Sequence, residues 1–258
     1  MTAIESRFSH GRAWALSRGT LIAACLLAFT NLAGADGNGV SQWKPGRQSI
    51  AAAQNLTSQI STPESNQVWR GESQANLVTQ WARWLWSIPF GVTPLQDNSG
   101  ANCGINQSGE FWYVVGALTP SFTKSCTVPY GKAIVAPIIA SVNDYPCPYP
   151  FEPAPGQSLE AFLRADPAAF MGGVTFTEAL LDGRQLKVKR VATKLFGFIG
   201  AADLSTGFDP CITGAPQLAV VDGFFTFVEP PSRGNHVLQV RSIAPWGEGL
   251  GILNLKIE

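Results

Sequence analysis

The clearest periodicity in the chain lies between Ser73 and Ile88, where Leu77, Trp81, Trp84, Leu85 and Ile88 fall on about one third of a helical wheel. That stripe predicts an amphipathic helix over 73–88, stopped by Pro89. Trp81 and Trp84 lie on the stripe and are expected in the core. Trp86 points to the opposite side of the wheel, beside Arg83, so the surface that buries the stripe cannot bury it as well. It needs a second partner.

Beyond Pro89 the pattern changes to short apolar runs between turn signals. Pro94, Asp97-Asn98-Ser99-Gly100 and Ser108-Gly109 punctuate the chain with residues that tolerate tight backbone geometry. Residues 110–118 and 133–142 are rich in aromatic and β-branched side chains and read as buried strands. Prolines at 146, 148, 150, 153 and 155 block regular pairing and predict a long loop or a connector between lobes. Ser158 caps a predicted helix from 159 to about 170, with Phe162 and Leu163 inward and Pro167 expected to kink or shorten it. Asp182-Gly183, between 176–181 and 186–191, and Asp222-Gly223, between 220–221 and 224–228, both read as hairpins, because Asp-Gly suits the turn that matches strand twist. Residues 236–242 and 251–257 add two closing strands. The predicted fold is mainly β (α+β): a disulfide-tied β-sandwich with a Trp-rich N-terminal helix and a second short helix. No long-period repeat is visible, which argues against solenoids and propellers.

The amino terminus has a different character. Arg7, Arg12 and Arg18 precede an apolar run over 19–32, and Ala33-Gly34-Ala35 supplies a small-residue cleavage pattern, so 1–35 reads as a cleavable export signal. The alternative is a lipoprotein anchored at Cys25, because Ile22-Ala23-Ala24-Cys25 resembles a lipidation box; the apolar run continues past that cysteine, which favours the signal. Residues 36–62 are Gly, Ser, Gln and Asn-rich and read as a flexible leader. Thr62-Pro63-Glu64 looks like the start of a short helix closed by Gly71. The expected division is a signal over 1–35, a leader over 36–62 and a single sandwich-like domain over 63–258, with two lobes joined near 145–157 as the variant.

Cleavage of 35 of the 258 residues leaves 223, and removes three of 18 basic and one of 18 acidic side chains, for a formal charge of 15 minus 17, or −2. A nucleic-acid partner is not expected at that balance, and no second apolar run long enough for a membrane span follows the signal. In an oxidising compartment Cys103, Cys126, Cys147 and Cys211 are read as two disulfides. Three connectivities are open. The favoured one pairs Cys103 with Cys126, bracketing the aromatic strand and its hairpin return, and Cys147 with Cys211, tying the proline-rich loop to the C-terminal half. No C-x-x-C spacing occurs, so no metal and no cofactor is expected. His236, the one imidazole left after cleavage, excludes sites that need two, and with no G-x-S-x-G elbow it reads as structural.

The chemistry-bearing candidates are therefore aromatic and carboxylate. Trp86 and Trp112 are candidate platforms for stacking on sugar rings. Gln107, Asp97, Glu110 and Asp144 are candidate ligand contacts, and Asp97, Glu110, Asp144 and Glu152 are candidate acids and bases. The expected function is a secreted or periplasmic, non-catalytic binding or envelope-associated role, with a glycan or another envelope component as partner. The alternative is a carbohydrate-active hydrolase using paired carboxylates. No catalytic residue is assigned.

The segment Trp84-Leu85-Trp86-Ser87-Ile88-Pro89, followed by Gln107-Ser108-Gly109, Phe111-Trp112-Tyr113 and Cys126-Thr127-Val128-Pro129, resembles a family of poorly characterised exported bacterial proteins. Val221-Asp222-Gly223-Phe224 and Gly234-Asn235-His236 are similar to its C-terminal pattern. The resemblance implies export and a shared architecture, and brings no activity with it.

Overall fold

The computed structural model describes residues 67–148 and 150–258. The export signal, Cys25, the leader with Trp43, and the helix start at 63 lie outside the described residues. Gly71 does not close a helix: Val68–Trp69 (β1) and Glu72–Ser73 (β2) form a small antiparallel hairpin across Arg70 and Gly71, both at positive φ.

The apolar stripe forms α1 (Gln74–Trp86). Ser73 caps it, its Oγ accepting the amide of Asn76 at 3.1 Å. Ten strands build two further sheets. The first contains β3 (Phe111–Tyr113), β5 (Ala133–Tyr145), β10 (Pro216–Val228) and β8 (Val188–Ala192) in that order, with β9 (Phe196–Ile199) pairing the start of β10. The second orders β4 (Ser121–Val128), β12 (Gly247–Ile257), β11 (Gly234–Ala244), β6 (Phe176–Leu181) and β7 (Arg184–Gln185).

These sheets face each other over one shared apolar layer. Ile134, Ile139, Phe224 and Val228 of the first sheet meet Leu238, Val240, Leu253 and Leu255 of the second. The opposite face of the first sheet carries Val135, Val142, Val221 and Phe225, which bury Leu77, Trp81 and Leu85 of α1. The architecture is thus mainly β, with α1 as an outer third layer. A second helix, α2 (Leu159–Gly172), covers the part of the first sheet that the second sheet leaves open, Leu163 meeting Val220 and Phe151.

Several local signals resolve differently from their sequence reading. Asp182-Gly183 is a turn, with φ of 51° and 76°, but the returning strand leaves after Gln185 and re-forms as β8 in the other sheet. Asp222-Gly223 is no turn: both lie inside β10, and Gly223 is needed because a Cβ there would stand 2.7 Å from that of Ala140 on β5. The aromatic strand shortens to β3, and Cys126 sits on β4 in the opposite sheet, so no hairpin joins Cys103 to Cys126. At one edge of each sheet the pairing is parallel, β3 with β5 and β4 with β12. Pro167 does not end α2. It lacks the amide that Leu163 would accept, and the Asn143 side chain donates to that carbonyl instead, at 3.0 Å.

Candidate functional site

The structure places the sequence candidates in three kinds of surroundings. Trp86 and Trp112 are buried, at 3% and 7% exposure. The second partner of Trp86 comes from β9 and the loop after it: the indole lies 4.4 Å from the ring of Phe198 and 6.4 Å from that of Phe196, while its carbonyl accepts Ala201 N–H. Neither tryptophan offers a face to a ligand from solvent, which corrects the reading of both as stacking platforms. Trp112 faces the layer between the sheets, against Gly104.

Gln107 spends its polar atoms on the backbone, and Asp97 spends its own on nearby backbone amides and the Ser99 hydroxyl. Gln107 Oε1 accepts Tyr113 N–H at 3.0 Å, and Nε2 donates to Cys103 O and Tyr113 O, so the side chain acts as a short partner strand for β3. Asp97 accepts Ser99 N–H at 2.8 Å, Ser99 Oγ–H at 2.6 Å and Asn102 N–H at 2.7 Å. Burial alone raises its carboxyl, but these hydrogen bonds prevail and hold it at about 2. Both residues organise the turn that carries Cys103. Glu110 is exposed and 4.0 Å from Arg70, and Glu152 is exposed.

Asp144 is different. It lies two residues beyond Val142 on β5, so the strand alternation turns it to the α1 side of the sheet. There α1 has ended, and the segment after β9, including the single turn α3 (Leu204–Gly207), folds over instead. That segment brings Asp209 and Cys211. One carboxylate oxygen each of Asp144 and Asp209 and the sulfur of Cys211 lie within 4.8 Å of one another. Exposure is 2% for Asp144, 6% for Asp209 and 3% for the neighbouring Gln217. Gln217 Nε2 donates to Asp144 Oδ2 at 2.9 Å, Pro146 O at 3.1 Å and Cys211 O at 2.7 Å. Asp209 Oδ1 accepts Cys211 N–H at 2.9 Å. Burial raises both carboxyls, and Asp144 is raised further by the charge of Asp209. No lysine, arginine or histidine among the described residues forms an ion pair with either.

The disulfides explain the convergence. Cys147 bonds Cys211, and Cys103 bonds Cys126. Asp144 precedes Cys147 by three residues and Asp209 precedes Cys211 by two, so closing that bridge necessarily draws the two carboxylates together. Asp209 and Gln217 were not candidates in the sequence; an acidic residue shortly before each of Cys147 and Cys211 is the signal that points to Asp209, and no local signal points to Gln217.

Above this cluster an open groove of about 930 Å³ runs between the end of α1, β9 and the start of β10. Arg83, Pro146, Phe198 and Gln217 line it, and Ile199 and Leu218 stand exposed on its wall at 62% and 38%. Arg83 Nε donates to Gly197 O at 2.9 Å, which fixes the head of the groove.

Two further polar sets lie apart from it. Arg190 and Asp222 form a buried two-point pair, at 3.0 and 2.8 Å, between β8 and β10. His236 Nδ1 lies 2.6 Å from Asp182 Oδ2, and Nε2 lies 2.9 Å from Ser232 O and 3.3 Å from Ser232 Oγ. The order of residue types matches a hydrolytic triad, yet the shorter contact of Nε2 is to a carbonyl, which takes its proton as a hydrogen bond and leaves no base for the hydroxyl. The set fastens the Asp182 turn to the start of β11.

No family model matches the chain, and no curated protein is significantly similar to it. Among solved structures it is similar to the PbICP-C chain in complex with falcipain-2, at 9% identity and a TM-score of 0.23, over 58% of this chain and 100% of that one. It is also similar to amebosin in solution, at 11% identity and a TM-score of 0.18, over 54% and 96%. At such scores neither likeness establishes a common fold.

Proposed function

We propose that the protein is a non-catalytic, extracytoplasmic binding protein and that its ligand occupies the groove beside β9. The carrying observation is the pair of exposed apolar side chains, Ile199 and Leu218, on the wall of a groove large enough for a small molecule. Two disulfides and the signal read over 1–35 support an oxidising compartment outside the cytoplasm. The likeness of its motifs to exported bacterial proteins supports the same.

An envelope component with an acyl portion fits the groove better than a bare oligosaccharide. Sugar recognition leans on exposed aromatic faces, and both Trp86 and Trp112 are inside. The hydrolase alternative loses support for a related reason. Glycosidic carboxylates flank an open cleft about 5 to 10 Å apart, whereas Asp144 and Asp209 are closer and shut away from solvent. The test is a titration of the mature protein with an apolar naphthylamine dye, then displacement by phospholipid, beside a glycan array. Dye binding that phospholipid reverses, and that Ile199→Asp with Leu218→Asp abolishes, is the expected result. Glycan binding that survives both substitutions would refute the assignment.

A further inference from the structure

We infer that Asp144 and Asp209 form a proton-operated latch: with a proton on the pair, the segment over 201–213 stays closed on the end of β5 and the start of β10, and with both carboxyls ionised it opens. The inference goes beyond the groove reading and stands whether or not a ligand occupies the groove.

The geometry carries it. Asp144 and Asp209 are at 2% and 6% exposure, with one carboxyl oxygen of each within 4.8 Å of the other. Two full negative charges at that range, with little water around them, are poorly screened, so a proton on one of them is the stable state. Among the described residues no charge from the surrounding elements takes that proton's place. Arg83 of α1 donates to Gly197 O, Asp203 accepts Phe90 N–H, Arg164 of α2 pairs with Glu160, and Lys194 before β9 is exposed. Tyr145, the next residue on β5, turns to the opposite face, among the residues that α2 covers. Burial raises both carboxyls, and Asp209 is the one charge that acts on Asp144.

Gln217 converts the proton into a change of contacts. Its Nε2 carries two hydrogens and faces three oxygens, those of Asp144, Pro146 and Cys211, at 2.9, 3.1 and 2.7 Å. A neutral Asp144 leaves both hydrogens to the carbonyls of Pro146 and Cys211, which clamps together the two stretches that the Cys147–Cys211 bridge joins. An ionised Asp144 claims one hydrogen, because a charged acceptor bonds more strongly than a carbonyl, and the repulsion between the carboxylates then acts on a clamp with one bond fewer. The bridge tethers the segment, so the opening is local. Gln217 and Pro146 also line the groove, so the opening displaces two of its lining residues.

A carboxyl raised on folding costs no stability below its unfolded pKa of about 4, and stability is lost as pH rises from there through the folded value. The test uses the disulfide-intact mature protein at fixed ionic strength. The Tm difference between wild type and Asp209→Asn is expected to change by about 5 °C between about pH 5 and about pH 9, wild type losing ground as pH rises, and Asp144→Asn is expected to act in the same direction. Hydrogen exchange of amides 201–213, corrected for its intrinsic pH dependence, should lose about tenfold in protection over that range in wild type and not in either variant. An infrared band of a protonated carboxyl at about pH 7, diminished by Asp144→Asn, is expected from the closed state. A Tm difference constant over the range in both variants overturns the role of the proton. Unchanged protection of 201–213 overturns the opening, and a wild-type spectrum without the band overturns the protonated pair; these two wild-type readings decide where a variant does not fold.

Discussion

Trp86 occupies the point where helix, edge strand and loop meet. On the wheel of α1 it turns away from the sheet, and it is nevertheless buried because Phe196, Phe198 and the chain as far as Ile212 wrap the far side of the helix. Trp86→Ala is therefore expected to cost about 3–5 kcal/mol, in the range of Trp81→Ala, because each opens a large cavity in the same apolar cluster. Chemical denaturation of both variants checks this; a Trp86 variant as stable as wild type would contradict the packing. His236 makes a pH-dependent counterpart. The hydrogen bond to Asp182 raises its pKa above the usual 6.5, and Asp182 is correspondingly lowered, with help from Val237 N–H and Arg184. A raised histidine stabilises below its unfolded pKa and loses that contribution as pH rises through the folded value; a lowered aspartate stabilises above its own unfolded pKa and loses it as pH falls. The stability gap between wild type and His236→Gln should be widest between about pH 4 and 6.5 and close towards higher pH. A gap of constant size through that range is the contrary outcome.

At the scale of elements, α2 shows how one residue repairs another. Pro167 leaves the Leu163 carbonyl without its helical donor, and the buried Asn143 of β5 supplies one. Asn143→Ala is expected to cost about 1–3 kcal/mol, and clearly less in a Pro167→Ala background, where the helix can bond its own carbonyl. A double-mutant cycle with no coupling would remove the explanation. Helices α1 and α2 were legible in the sequence because an apolar periodicity and a capping serine are local. The long strands β5, β11 and β12 were legible for the same reason. What was not legible depends on partners far along the chain. Asp222-Gly223 carries a turn signature, yet Gly223 is there for the close approach of Ala140. β4 alternates buried and exposed residues but includes Lys124, whose buried Nζ is satisfied by the carbonyls of Pro94 and Gly116, a remote arrangement that hides the strand. Of the candidate site, Asp144 was visible as one of the carboxylates in the turn-rich, aromatic middle of the chain, and Asp209 became its neighbour through the disulfide.

Across the whole molecule, the two sheets and α1 form layers with separate apolar interiors on the two faces of the first sheet, while polar interest gathers where a layer ends. There α1 stops at Trp86, β9 begins a second cover, and the Cys147–Cys211 bridge closes the corner. Groove and carboxylate cluster share that corner. Among the described residues no helix is long and apolar enough to cross a membrane. The most direct test is hydrogen–deuterium exchange of the mature protein with and without phospholipid. The account predicts added protection confined to 196–199 and 216–218, at the groove wall. Protection on the outer face of β4, β12 and β11 instead, with the groove unchanged, would contradict it.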